Sequence, residues 1–209
     1  GIKKYLKNLY DADDALRQKR QSFLSATKKV IDFDREAGKV LQLSKAAQND
    51  CINGRFTESQ QRLDEGERLI NDLDARLKKA RKEVAEKLQN AELQLKDLPE
   101  IKFDQSESNL RAAKQEFLEA KILFTFLRKG MIFQPARVAM KDFNNYVGAL
   151  VDFCGELVRK ARTESINGQT RVDQKYLVVA TKLYEELSAY AFTNSSGNRR
   201  KIEELKSHI

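Results

Sequence analysis

Histidine occurs once in these 209 residues, tryptophan never, proline and cysteine twice each, and glycine nine times. The single histidine, His208, stands one residue from the end. Ser-His-Asp, Cys-His and HExxH chemistry therefore lack their histidine on any ordered element. Cys51 and Cys154 lie about half the chain apart and form no CxxC pair, so a zinc ribbon, a thioredoxin motif and a disulfide framework are all unsupported. So little glycine and proline excludes a β-sandwich or barrel, which needs a turn every ten residues or so. No apolar run approaches the roughly 20 residues of a membrane span. Gly1-Ile2-Lys3-Lys4 leads into no apolar signal segment. The glycines never form GxxxxGK, and RRM, KH and zinc-finger motifs are missing. These absences point to a cytoplasmic protein that neither spans a membrane nor hydrolyses nucleotides through a P-loop.

What is present is charge and helical spacing. Apolar residues make up 41%, enough for a real core, and 39 Lys+Arg against 31 Asp+Glu give a net +8. Leu16, Phe23, Val30, Ala37 and Leu41 form one stripe over residues 3–50, closed by Asn53-Gly54. Thr57 is placed to cap a second helix over 57–95, carried by Leu63, Ile70, Leu73, Leu77, Val84 and Leu88. Ser106 or Ser108 starts a third helix running to Lys129-Gly130. Its second half, with Ile122, Leu123, Phe124, Phe126 and Leu127, is apolar nearly all round and calls for burial. Further helices are expected over about 140–161, over 173–192 and from 198 onward, with Asn167-Gly168 and Asn194-Ser195-Ser196-Gly197 between them. No strict heptad persists, so a bundle is favoured over a free coiled coil. The expectation is one all-α domain over 1–209 with six or seven helices.

The informative residues are acids inside apolar helices. Glu116 and Glu119 stand i,i+3 on the third helix and lead into its most apolar stretch. Asp152 and Glu156 stand i,i+4 on the fourth, among Val147, Leu150, Val151, Phe153, Cys154 and Leu157. Like charges on neighbouring turns cost little when exposed and far more when buried, unless they take up protons or find a cation. A divalent metal would satisfy them. Without histidine the ligands would all be oxygen, which favours Mg²⁺ or Mn²⁺. The bland alternative is that such pairs are solvated faces or partners of Lys and Arg, as Glu65 with Glu67 and Glu203 with Glu204 are expected to be. Gly148 and Gly155, seven apart, would admit a close neighbour on the fourth helix.

Basic residues mark the first helix, where Arg17, Lys28 and Arg35 are spaced eleven and seven apart, roughly on one stripe. With a pI near 9.4 they could bind a polyanion, although interleaved Asp and Glu suit a solvated face equally well.

The run Gln115-Glu116-Phe117-Leu118-Glu119-Ala120 resembles the QEYVEA-type segment of the translin-associated factor Trax. Tyr146 to Leu157 is similar to the same family's YLLG-x-x-D-x-x-GEL segment. Arg162 to Gly168 resembles its R-x-x-x-x-S-x-x-x-G turn, and Cys51 to Phe56 its junction between two long N-terminal helices. The resemblance covers most of residues 15–209, is specific in the two carboxylate segments, and suggests a minimal, archaeal-like member of the translin/Trax family. It implies an all-α fold that assembles into octameric shells and binds single-stranded RNA and DNA. It also implies a Mg²⁺-dependent endoribonuclease of Trax type, acting alone or beside a translin-type subunit. Glu116, Glu119 and Asp152 fall on the family's catalytic, metal-binding positions, and Glu156 on the glutamate of its GEL segment as a further ligand. Lys28 and Arg35 fall near basic positions that contact RNA. Two departures stand out: a shorter stretch between the third and fourth helices, and a loosely matching first helix. The competing expectations are a non-catalytic single-strand binder of translin type, in which the acids are structural, and a coiled-coil scaffold with no nucleic-acid role.

Overall fold

Where apolar residues recur at three and four positions without proline, the chain is helical. The structure is a computed structural model that describes residues 33–90, 103–135, 140–168, 170–191 and 196–206. Among the described residues there are six helices and no strand. They are α1 over 33–52, α2 Phe56–Asn90, α3 Phe103–Lys129, α4 Met140–Ile166, α5 Thr170–Ala191 and α6 Ser196–Lys206. The all-α reading holds. The helices run longer than their sequence signals at several ends: α4 continues past Ala161, and α5 begins three residues before Asp173.

Asn53-Gly54 ends α1 as its composition predicts. Gly54 takes φ +76°, a left-handed conformation that costs a residue with a Cβ more. Its N–H donates to the Cys51 carbonyl at 3.1 Å, and the Arg55 N–H donates to the Asp50 carbonyl at 2.8 Å. Helix α2 then starts at Phe56, so Thr57 lies within its first turn and is not the cap. The Arg55 carbonyl accepts the first reaching bond, from the Ser59 N–H at 3.1 Å. Likewise α3 begins at Phe103, which places Ser106 and Ser108 inside the helix, with Ser106 buried.

The contacts of the described residues group into two compact units, one of residues 33–38, 70–90 and 103–110, the other of 39–69 and the described residues from 111 to 206. In the first, Phe33, Ala37, Ile70, Leu73 and Leu110 are buried. Arg76 bridges Glu36 at 2.7 Å and Asp72 at 3.1 Å, and Arg81 pairs with Glu107. The second holds the main core. Ile122, Leu123 and Phe126 of α3 pack with Val147, Val151, Phe153, Cys154, Leu157 and Val158 of α4. Ala180, Leu183 and Leu187 of α5 and Ile202 and Leu205 of α6 complete it. The Phe126 ring meets Phe153 edge-on, with centroids 5.4 Å apart. The apolar half of α3 is thus buried, as its all-round hydrophobicity demanded. Both cysteines are free and buried, and burial pushes each thiol up to about 12, which makes them inert packing residues. No helix among the described residues is long and apolar enough to cross a membrane.

Candidate functional site

All four acids singled out above fall in the second unit, on α3 and α4, and their charges act on one another. Helical periodicity puts Gln115 and Glu116 one turn before Glu119 on α3, and Gly148, Asp152 and Glu156 at i,i+4 steps along α4. Glu119 is the most enclosed, at 6% exposure. Burial is the largest cause raising its carboxyl, followed by repulsion from Asp152, Glu116 and Glu156. The nearby Gln48 side chain, whose buried Nε2 makes no hydrogen bond within the geometric limits, offsets this only in part. The result is a carboxyl pushed up to about 8, which keeps its proton at neutral pH.

Asp152 is handled differently. The Lys201 ammonium of α6 donates to both of its carboxylate oxygens, at 2.8 Å to Oδ2 and 2.9 Å to Oδ1. The Gln115 amide donates to Oδ2 from the α3 side, at 2.7 Å. Gly148 makes room for that amide: a Cβ there would sit 2.7 Å from Gln115 Oε1 and 2.8 Å from its Cδ. The close neighbour expected at Gly148 is therefore a side chain of α3. Gly155 has no such role, since a Cβ there would meet nothing within 4 Å. Glu156 turns to its own helix, where Arg159 Nε donates to Oε2 at 2.9 Å and Nη2 donates to the same oxygen.

The chemistry of this donor set suits a hard dication, being all carboxylate oxygen with one member strained by its neighbours' charge. As arranged, however, no three of His, Cys, Asp and Glu among the described residues form a group able to hold a metal ion. Asp152 and Glu156 each face a cation of the protein instead. Glu116 is half-buried on the same stretch of α3.

The other acidic pairs behave as solvated faces. Lys39 reaches Glu65, Lys121 reaches Glu67, and Arg199 and Arg200 pair with Glu203 and Glu204. Of the basic stripe, Arg17 and Lys28 lie outside the described residues, as does His208, and Arg35 is exposed on α1. Sequence reasoning missed Lys201 and Gln48 entirely. Gln115 stood inside a quoted run without a role assigned to it. Lys201 is 49 positions from Asp152, and no local spacing signals such a pairing.

Residues 32–209 match the family model described as the Translin family. No curated protein sequence matches the chain. Among solved structures, the fold is similar to the crystal structure of apo-NeC3PO, with TM-score 0.67 and 19% identity, covering 93% of this chain and 90% of that one. It is similar also to the crystal structure of AfC3PO, with TM-score 0.65 and 19% identity over 93% and 90% of the two chains. A third match is the structure of an AfC3PO–duplex RNA complex, with TM-score 0.63 and 20% identity over 93% and 89%. At these identities the likeness is one of fold.

Proposed function

This chain belongs to the Translin family, and on that premise we propose that it is a metal-dependent endoribonuclease of Trax type, acting on single-stranded RNA. The observation that carries the reading is Glu119, a buried carboxyl on which three further acids press from α3 and α4. A purely structural acid would be expected to gain a local counter-charge; this one gains like charges. Glu116, Glu119 and Asp152 would hold Mg²⁺, or Mn²⁺ in its place, with Glu156 as a further ligand or as the residue that keeps Arg159 in position. When bound, the metal would polarise the scissile phosphate and lower the pKa of an attacking oxygen. The chain's own residues prepare for this. Glu119, protonated at neutral pH without metal, would release that proton on becoming a ligand. Gln115 fixes the Asp152 carboxylate in orientation. RNA contact falls to the basic residues Lys28 and Arg35, which the resemblance places near family basic positions, and to Arg17, which shares their spacing. It implies a shell of eight subunits, from copies of this chain or with a translin-type partner, and the exposed apolar Leu177 and Val178 of α5 suit such self-association.

A second reading is favoured by one observation, the Lys201 ammonium already seated on Asp152. On that reading the acids are structural and the protein is a non-catalytic single-stranded RNA and DNA binder. Cleavage of a labelled single-stranded RNA, in Mg²⁺ and in EDTA, separates the two. The nuclease reading expects Mg²⁺-dependent cutting by the wild type, lost in Glu119→Gln while RNA binding persists. Binding by both proteins with no cutting by either refutes it in favour of the second reading.

A further inference from the structure

We propose that Lys201 is the resident counter-cation of the carboxylate site, and that a divalent metal must displace it from Asp152 to bind. The inference rests on the metal-site reading above and adds to it a residue from a different helix. Three observations support it. The ammonium sits within 2.9 Å of both Asp152 oxygens, so neither is open to a metal while the contact stands. Gln115 fills the remaining approach to Oδ2 at 2.7 Å, in the space that Gly148 leaves. Arg159 holds Glu156 in the same way, its Nε 2.9 Å from Oε2, so each of the two acids on α4 carries a cation of the protein.

The contact is suited to exchange. The side chains of Lys201 and Asp152 are 41% and 29% exposed, so water can take over the ammonium as it leaves. An ion pair this open contributes little net stability, because both partners keep much of their hydration when apart. Lys201 is delivered by α6, a helix of 11 residues seated through Ile202 and Leu205 and by an Asn198 Nδ2 bond to the Asn144 carbonyl at 3.1 Å. Metal binding at Asp152 is thereby coupled to the lysine's release, and the lysine so freed is a cation beside the phosphates of any bound strand. A dication and an ammonium competing for one carboxylate give a directional expectation: removing the ammonium tightens the metal.

The test uses Mn²⁺ as the probe, followed by electron paramagnetic resonance on the full chain without RNA, in wild type, Lys201→Gln, Asp152→Asn and the double variant. Lys201→Gln should bind Mn²⁺ roughly tenfold more tightly, the size expected for one nearby ammonium at a partly solvated site. In the Asp152→Asn background the same lysine change should do nothing, since its target carboxylate is gone. Circular dichroism establishes that each variant is folded, and the half-exposed position of Lys201 makes it a mild substitution. If the wild type binds Mn²⁺ and Lys201→Gln binds it equally or more weakly, the displacement idea is wrong while the metal site stands. If neither protein binds Mn²⁺ at millimolar concentration, the metal-site reading fails and takes this inference with it.

Discussion

Glu119→Gln should stabilise the protein at neutral pH in the absence of metal, and the size of the effect follows from one carboxyl. In the folded chain that carboxyl is pushed up to about 8 from the ordinary 4.5, chiefly by burial and then by Asp152, Glu116 and Glu156. Below pH 4.5 it is protonated both folded and unfolded, so it costs nothing. Between 4.5 and about 8 the unfolded chain loses the proton while the folded chain keeps it, so stability falls as pH rises through that window. At pH 7, with 1.36 kcal/mol per pH unit, the cost is about 3 kcal/mol. Glutamine is neutral at every pH and of nearly the same shape, so the variant avoids this cost. For a chain of this size the gain corresponds to a Tm rise on the order of 6–12 °C at pH 7. The assay is thermal unfolding by circular dichroism in EDTA at pH 4, 5.5, 7 and 8. The two proteins should coincide at pH 4 and separate progressively above it. Adding Mg²⁺ at pH 7 should raise the wild type more than the variant, because only the wild type has a carboxyl there that can give up its proton and take a metal. A Tm difference that is absent at pH 8, or that does not change with pH, would refute the assignment of a strained carboxyl.

Three further outcomes are expected. Gly148→Ala should be close to neutral for stability, since alanine's better helix propensity offsets about 1 kcal/mol of crowding, but its Cβ must push the Gln115 side chain away from Asp152. Cleavage or Mn²⁺ affinity in that variant should therefore change far more than its urea midpoint, and equal losses in both would count against Gln115 as an orienting residue. Asp50→Asn should destabilise by about 2 kcal/mol, because it removes charged hydrogen bonds to a buried group, here those from Arg55 and Arg62. Hydrogen bonds from Arg62 and Arg55 hold the Asp50 carboxyl below its ordinary range, so the wild type's advantage over Asp50→Asn should be full above pH 4 and vanish as pH falls further. Phe153→Ala, at a fully buried ring of the main core, should cost about 3–5 kcal/mol, read as a shift of the urea transition; a shift under 1 kcal/mol would contradict its central place.

The parts of this fold that sequence could reveal are those governed by neighbours a few residues away. Helical spacing located α2 through α6 because burial repeats every three or four positions. Asn53-Gly54 located the first turn because only a left-handed residue fits there. Exact starts were less legible. Thr57 and Ser106 look like caps in composition, yet the chain begins α2 on the Arg55 carbonyl and carries α3 back to Phe103. The acids were legible for the same reason as the helices: Glu116 with Glu119 and Asp152 with Glu156 are each one turn apart. Their cross-helix partners were not. Lys201 reaches Asp152 over 49 positions and Gln115 over 37, distances at which sequence carries no geometric signal. The same is true of the Gln48 contact to Glu119.

The chain solves the problem of an enclosed acid in two opposite ways, and the contrast bears on what Glu119 is for. Asp50, 7% exposed in its side chain, is met by Arg55 at 2.7 Å and Arg62 at 2.6 Å, and its carboxyl is lowered. That is how a folding contact is built: two cations from α2 and its approach close the α1 turn, and the acid is more stable as an anion than it would be in water. Glu119 is comparably enclosed, yet its neighbours are acids, and its carboxyl is raised. A chain with eight more basic than acidic residues has arginine and lysine to spare, so the acidic surroundings of Glu119 are not a matter of composition. Lys201 bonds to Asp152 and Arg159 to Glu156, so these two cations neutralise the acids around Glu119. With acids as its main charged neighbours, Glu119 is a net cost to folding at neutral pH. A cost of that kind, concentrated on one buried group, is the reverse of the profile at Asp50, and it is the cost that the proposed metal site would relieve.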